Sequence, residues 1–206
     1  MLSVLDRHLK PWHFWLVNGA AIAWFVGMGL ATQAALPGVK LFRCPIGLCL
    51  GYYSPIELQT SLTRLGGNGR AFLVETLLPL DMVLPALLLV ALTITYVWFS
   101  RPGADFAVPL SPGARYAFLC VPLLYCVADY AENWSIAEVL QAHPNISYRL
   151  ARRASFLTAA KSQLIVAALG IAVALAIAAW GLARRAASDQ GDDRASDGER
   201  PPRGKP

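Results

Sequence analysis

No residue between Lys10 and Lys40 carries a formal charge, and the apolar run 14–36 inside that interval is long enough to cross lipid. A helix needs about 20 predominantly apolar positions to do so. Two more such runs follow, one uncharged from Met82 to Phe99 and one apolar from Leu164 until Arg184-Arg185 closes it. Hydrophobic residues make up 56% of the 206 and charged residues 15%, against about 25% charged in ordinary globular chains. A soluble fold with so little charge could not cover its own surface, so the sequence reads as an integral membrane protein.

Between Arg115 and Asp129 the third hydrophobic stretch has 13 uncharged residues, about 20 Å of helix. If it crosses a core of roughly 30 Å, Asp129 and Glu132 lie at or inside the membrane boundary. The expected plan is all-α: four transmembrane helices at about 12–36, 70–99, 114–136 and 155–183 within a 1–185 membrane domain. Arg7 and Lys10 before the first run also suit a signal peptide, but the run exceeds the 7–15 residues of a signal core. It is read as a retained helix. From Ala186 the chain turns to Asp, Arg, Gly and Pro and nearly lacks apolar residues, so 186–206 is expected to be a disordered tail.

The net charge of +5 raises nucleic-acid binding, but the 18 Lys and Arg are scattered between apolar blocks, at their ends or in the tail, with no aromatic-basic interleaving. Helix-end anchoring produces that distribution, and it argues against a nucleic-acid partner. Four helices put both termini on one side, with Arg7, Lys10, Arg101, Arg115, Arg184 and Arg185 there and Lys40, Arg43, Arg64, Arg70, Arg149, Arg152 and Arg153 opposite. That balance hardly discriminates. The basic start favours cytoplasmic termini in a multi-pass cell-membrane protein, with the bilayer as its partner and a homo-oligomer left open.

In the first outer loop, Ser54-Pro55-Ile56-Glu57 is a capping box with Pro at the first helical position. Leu58, Leu62 and Leu65 follow at helical spacing, and Gly66-Gly67 supplies a C-cap. An amphipathic helix over 55–65 is expected at the interface or packed on the bundle, as a lid or as a substrate-contacting element. The same loop carries Cys44 and Cys49, which suit a disulfide if it is extracytoplasmic. Cys120 and Cys126, on different faces of the third helix, read as packing residues.

Ionisable groups inside a bilayer cost about 2.5–3.5 kcal/mol each at a helix centre, and here they gather in one leaflet. Arg70, Glu75 and Asp81 fall in the first-loop half of the second helix, Arg70 and Asp81 eleven residues apart and so on nearly one face. Tyr125, Asp129, Glu132 and Asn133 form a stripe on the third helix, and Thr158, Lys161 and Ser162 share a face of the fourth. Pro85 removes the hydrogen bond that the Asp81 carbonyl would accept, and Pro79 does the same to Glu75. Such breaks persist in membranes where they line a cavity or are buried.

The constellation points to a pocket open to the first-loop side that binds or acts on a small lipid or amphiphile. Arg70, Glu75, Tyr125 and Asn133 would bind. Asp81 as proton donor, with Asp129, Glu132 and Lys161 holding charge, would carry acid–base work such as isomerisation or cyclisation. The rival reading is a non-catalytic structural or assembly protein in which the same residues form buried ion pairs. Glu138 and His143 read as loop surface. Three scattered histidines suit neither metal nor haem, no nucleotide or hydrolase motif occurs, and no cofactor is expected.

Tyr52-Tyr53-Ser54-Pro55, Leu65-Gly66-Gly67-Asn68-Gly69-Arg70, Asp81-Met82-Val83-Leu84-Pro85, Asp129-Tyr130-Ala131-Glu132-Asn133 and the segment 155–161 together resemble a group of four-helix membrane proteins. These share an LGxxGR turn, an acid ahead of proline in the second helix and a DxxEN ending to the third. The resemblance covers about 12–182, implies the four-helix plan and implies no activity. The cysteine pair in the first outer loop is also similar to the membrane quinone reductases that generate disulfides, but residues 134–154 lack the second pair that chemistry needs.

Overall fold

A computed structural model describes residues 6, 8–36, 52–102 and 106–198; Cys44 and Cys49 lie outside them. Among the described residues the secondary structure is helical throughout. Helix α1 spans Pro11–Ala35 and α2 spans Pro55–Phe72. A π-helical turn, Leu73–Leu77, joins α2 to α3, Leu78–Asp81; α4 is Leu84–Ser100, α5 Pro112–Ala142 and α6 Tyr148–Gly198. Among the described residues, three helical stretches are long and apolar enough to cross a membrane: Pro11–Ala35, Pro55–Ser100 and Tyr148–Arg185.

The capping box forms as the sequence predicts, with the Ser54 hydroxyl accepting from Glu57 N and Glu57 Oε2 accepting from Ser54 N. Gly66 then takes φ 67°, ψ −175°, backbone that only glycine adopts without strain, and the chain re-enters helix at once. The loop helix over 55–65 is therefore continuous with the second long helix across a glycine kink. Leu58 and Leu62 are fully buried against Leu73, Leu77, Ile136, Val139 and Ala154. Each contributes roughly 1.5–3 kcal/mol by leaving water. Helix α2 thus lies as a lid across the first-loop end of the bundle.

Two helices outrun the predicted boundaries toward that end. Helix α5 continues past 136 because Ile136, Val139 and Leu140 keep a helical apolar stripe that packs beneath the lid. The Ser147 hydroxyl accepts from Leu150 N and starts α6 seven residues before 155. Glu138 consequently sits on a helix rather than in a loop, and His143 is the α5 C-cap. At the other end α6 runs on to Gly198, where the sequence suggests a disordered segment from Ala186. Alanine is the best helix former, and Ala183, Ala186 and Ala187 place no breaker at the exit.

The closest helix pairing is α5 with α6. The bundle has two apolar clusters, one under the lid and one where Leu92 and Tyr96 of α4 meet Ala168 and Leu175 of α6, with Phe118, Leu119 and Val121 of α5 packed against it. Between them in sequence, on α5 and α6, lie the polar residues 125–133 and 158–162. Helix α1 flanks α4: Phe14 stacks near Trp98, the Thr95 hydroxyl donates to Asn18 Oδ1 at 3.2 Å, and Trp24 Nε1 donates to the Leu80 carbonyl.

Candidate functional site: a buried charge cluster between the α5 and α6 cores

Helix α5 delivers Tyr125, Asp129, Glu132 and Asn133 on one buried stripe, as their spacing predicts. Asp129 and Glu132 are both 0% exposed. Lys161 of α6 bridges them, its ammonium 2.7 Å from Asp129 Oδ1 and 2.5 Å from Glu132 Oε2. The other two carboxylate oxygens are also taken, Asp129 Oδ2 by the Tyr125 hydroxyl at 2.7 Å and Glu132 Oε1 by the Thr158 hydroxyl at 2.5 Å. A buried charge persists only when paired and hydrogen-bonded, and here each acid has one oxygen in an ion pair with Lys161 and the other accepting from a hydroxyl.

The network reaches outward through Tyr53, which sequence reasoning did not assign to the site. The Ser155 hydroxyl donates to the Tyr53 carbonyl at 2.7 Å and accepts from Tyr53 N at 2.9 Å, fixing the segment that leads into the lid. The Tyr53 hydroxyl then lies 3.5 Å from Thr158 Oγ1. Burial pushes the Tyr53 phenol up to about 12, so it remains a donor. The contiguous chain is Tyr53, Thr158, Glu132, Lys161, Asp129 and Tyr125. The only sequence signal for Tyr53 was its place beside the capping box.

Asp81 is half-buried at the end of α3, in the electrostatic field of Lys161, Asp129 and Glu132 and facing the Asn133 amide. The helix breaks directly after it at Met82-Val83, before Pro85, and both residues are exposed on the outside of the bundle. The opened backbone is served by side chains: the Tyr130 hydroxyl donates to the Met82 carbonyl at 3.0 Å, beside the Trp24 bond to Leu80. The break that Pro85 predicts is a two-residue turn in which Met82 and Val83 keep right-handed helical dihedrals.

Arg70 and Glu75 stand apart from this cluster. Arg70 Nη1 donates to the Leu62 carbonyl at 3.0 Å, tying the second half of α2 to its first. Glu75 is exposed within the π turn. The shared face expected for Arg70 and Asp81 assumed unbroken α-helix. A π turn inserts one residue and rotates everything after it by about 100°, so the eleven-residue spacing no longer aligns them.

Among the described residues no group of His, Cys, Asp and Glu is placed to hold a metal ion. Cys120 is exposed and Cys126 buried, both as free thiols. No family model, curated protein or solved structure matches the chain.

Proposed function

We propose that this chain is a multi-pass membrane protein of four spans, termini in the cytoplasm, that holds the headgroup of a small lipid or amphiphile at Asp81. The observation that carries the reading is a charge imbalance among the described residues: half-buried Asp81 lies in the field of Asp129 and Glu132, and the one ammonium that meets these acids there is Lys161. Buried charge is stable only when balanced, and the surplus acid calls for a cationic group. Asp129 and Glu132 are committed to their partners, so they set the field. Asp81 stands at the break beside exposed Met82 and Val83, where a headgroup arriving from the bilayer would reach it without lifting the lid.

The membrane embedding draws on an inside-out distribution on α5. Three of its four charged residues, Arg115, Asp129 and Glu132, are buried, the fourth, Glu138, lying toward the lid end, while Leu123, Leu124 and Val127 are 52%, 54% and 60% exposed. In water the opposite holds. Exposed Tyr116 and Trp134 are 18 residues apart, about 27 Å of helix. That separation suits aromatic anchors at the two interfaces of one bilayer core.

The test uses phosphatidylethanolamine, whose headgroup carries a primary ammonium, against phosphatidylcholine, with native mass spectrometry of gently solubilised protein. Asp81→Asn is expected to lower retained phosphatidylethanolamine about tenfold, as loss of a charged hydrogen bond does, while leaving thermal stability nearly unchanged. Asp81→Glu should restore it. Closure of the Asp129–Glu132 network favours a second reading, in which the cluster only fastens the bundle. That reading predicts unchanged lipid retention and a lower melting temperature for Asp81→Asn, and that result would overturn the headgroup site.

A further inference from the structure

Opposite the charge cluster, at the terminal end of the bundle, a second ionic centre is built around Arg115. Its side chain is buried, 8% exposed for the whole residue, at the start of α5. Nε donates to the Ser100 hydroxyl at 3.2 Å, and that hydroxyl donates onward to the Tyr96 carbonyl at 2.6 Å. The two terminal nitrogens form parallel bonds to Asp6, Nη1 to Oδ2 at 3.0 Å and Nη2 to Oδ1 at 2.6 Å. Beside the guanidinium, Tyr96, Val97 and Ser100 of α4 and Phe118 and Leu119 of α5 are packed close together.

We propose that Arg115 and Ser100 form a receptor for a phosphate monoanion, borne by a lipid headgroup or free, and that Asp6 is its occupant in cis. Three observations combine. A guanidinium fork offers two parallel donors, a geometry that accepts carboxylate and phosphate alike. The bundle supplies the cation, the hydroxyl that holds its Nε and the apolar surroundings, whereas the anion comes from Asp6, five positions ahead of α1. Without Asp6 the bundle would bury an uncompensated guanidinium, which is strongly unfavourable, so another anion must take its place.

The level of the site then selects the chemistry. Arg115 adjoins Tyr116, exposed at the depth assigned above to the membrane interface, and lipid phosphates lie at that depth. Phe118 and Leu119, both partly exposed beside Arg115, offer contact to the carbons next to a headgroup. This receptor shares with the Asp81 site only the membrane embedding; the residues and the leaflet differ.

The test compares wild type, Asp6→Asn and Asp6→Asn/Arg115→Gln in lipid nanodiscs of phosphatidylcholine with and without phosphatidylglycerol. Lipid retained after extraction is read by native mass spectrometry. Asp6→Asn should retain about tenfold more phosphatidylglycerol than wild type, and the second substitution should remove the gain. In pure phosphatidylcholine discs, millimolar inorganic phosphate that raises the melting temperature of Asp6→Asn but not of wild type assigns the receptor to the free anion. If Asp6→Asn/Arg115→Gln does not fold, Asp6→Asn/Arg115→Lys keeps the charge without the fork and should lose most of the gain. Equal phosphatidylglycerol retention by wild type and Asp6→Asn, with no phosphate effect, would overturn the proposal, as would a gain that survives either Arg115 substitution.

Discussion

Lys161 bridges two carboxylates that solvent does not reach. Removing one partner of a buried ionic group leaves the others uncompensated, at a cost of about 3–5 kcal/mol, whereas replacing the whole group by neutral residues can be nearly neutral. Lys161→Met is therefore expected to destabilise the bundle by about that amount in denaturant unfolding followed by tryptophan fluorescence. Adding Asp129→Asn and Glu132→Gln to it should recover most of the loss. A single-mutant cost below about 1 kcal/mol would show that the pairing is not what holds these acids in place. The α5 stripe was legible in the sequence because four polar residues at helical spacing inside an apolar block must share one face, and lipid is a poor neighbour for it. Tyr53 was not, because its tie to Ser155 joins residues 102 positions apart and leaves no local pattern. Arg115 was legible only as a flanking charge, since its partner Asp6 comes from an even more distant segment.

Among the elements, α2 and its sequel show what periodicity carries and what it misses. The capping box and the glycine turn were readable because each fixes one local geometry. At Gly66 the φ of 67° is the whole constraint, for an added Cβ would meet nothing within 4 Å. Gly66→Ala should accordingly cost about 1–2 kcal/mol through backbone strain alone, while Gly67→Ala, at a helical and equally open position, should be neutral or slightly stabilising. Thermal melts of the two variants in detergent check this, and equal effects would mean that the kink is not held at Gly66. The π turn Leu73–Leu77 had no such signature, and counting residues straight across it misaligned Arg70 with Asp81. The ends of α5 and α6 were drawn short because they were set by where hydrocarbon stops, whereas packing beneath the lid carries both helices further.

For the whole molecule, the proposed topology carries α5 across the bilayer with its charges turned inward, although its length of apolar sequence alone would not select it as a span. The helical composition and the long apolar segments were plain in the sequence; the fourth crossing depends on which face of α5 is covered, and that appears only once α4 and α6 pack against it. The deciding measurement is side-specific labelling with a membrane-impermeant maleimide in sealed vesicles, using single-cysteine variants of a cysteine-free chain. Gly113→Cys and Ser188→Cys should react from one face, and Glu138→Cys and Arg149→Cys from the other. If Gly113→Cys and Glu138→Cys react from the same face, α5 does not cross, and Asp129, Glu132 and Lys161 do not lie within the membrane.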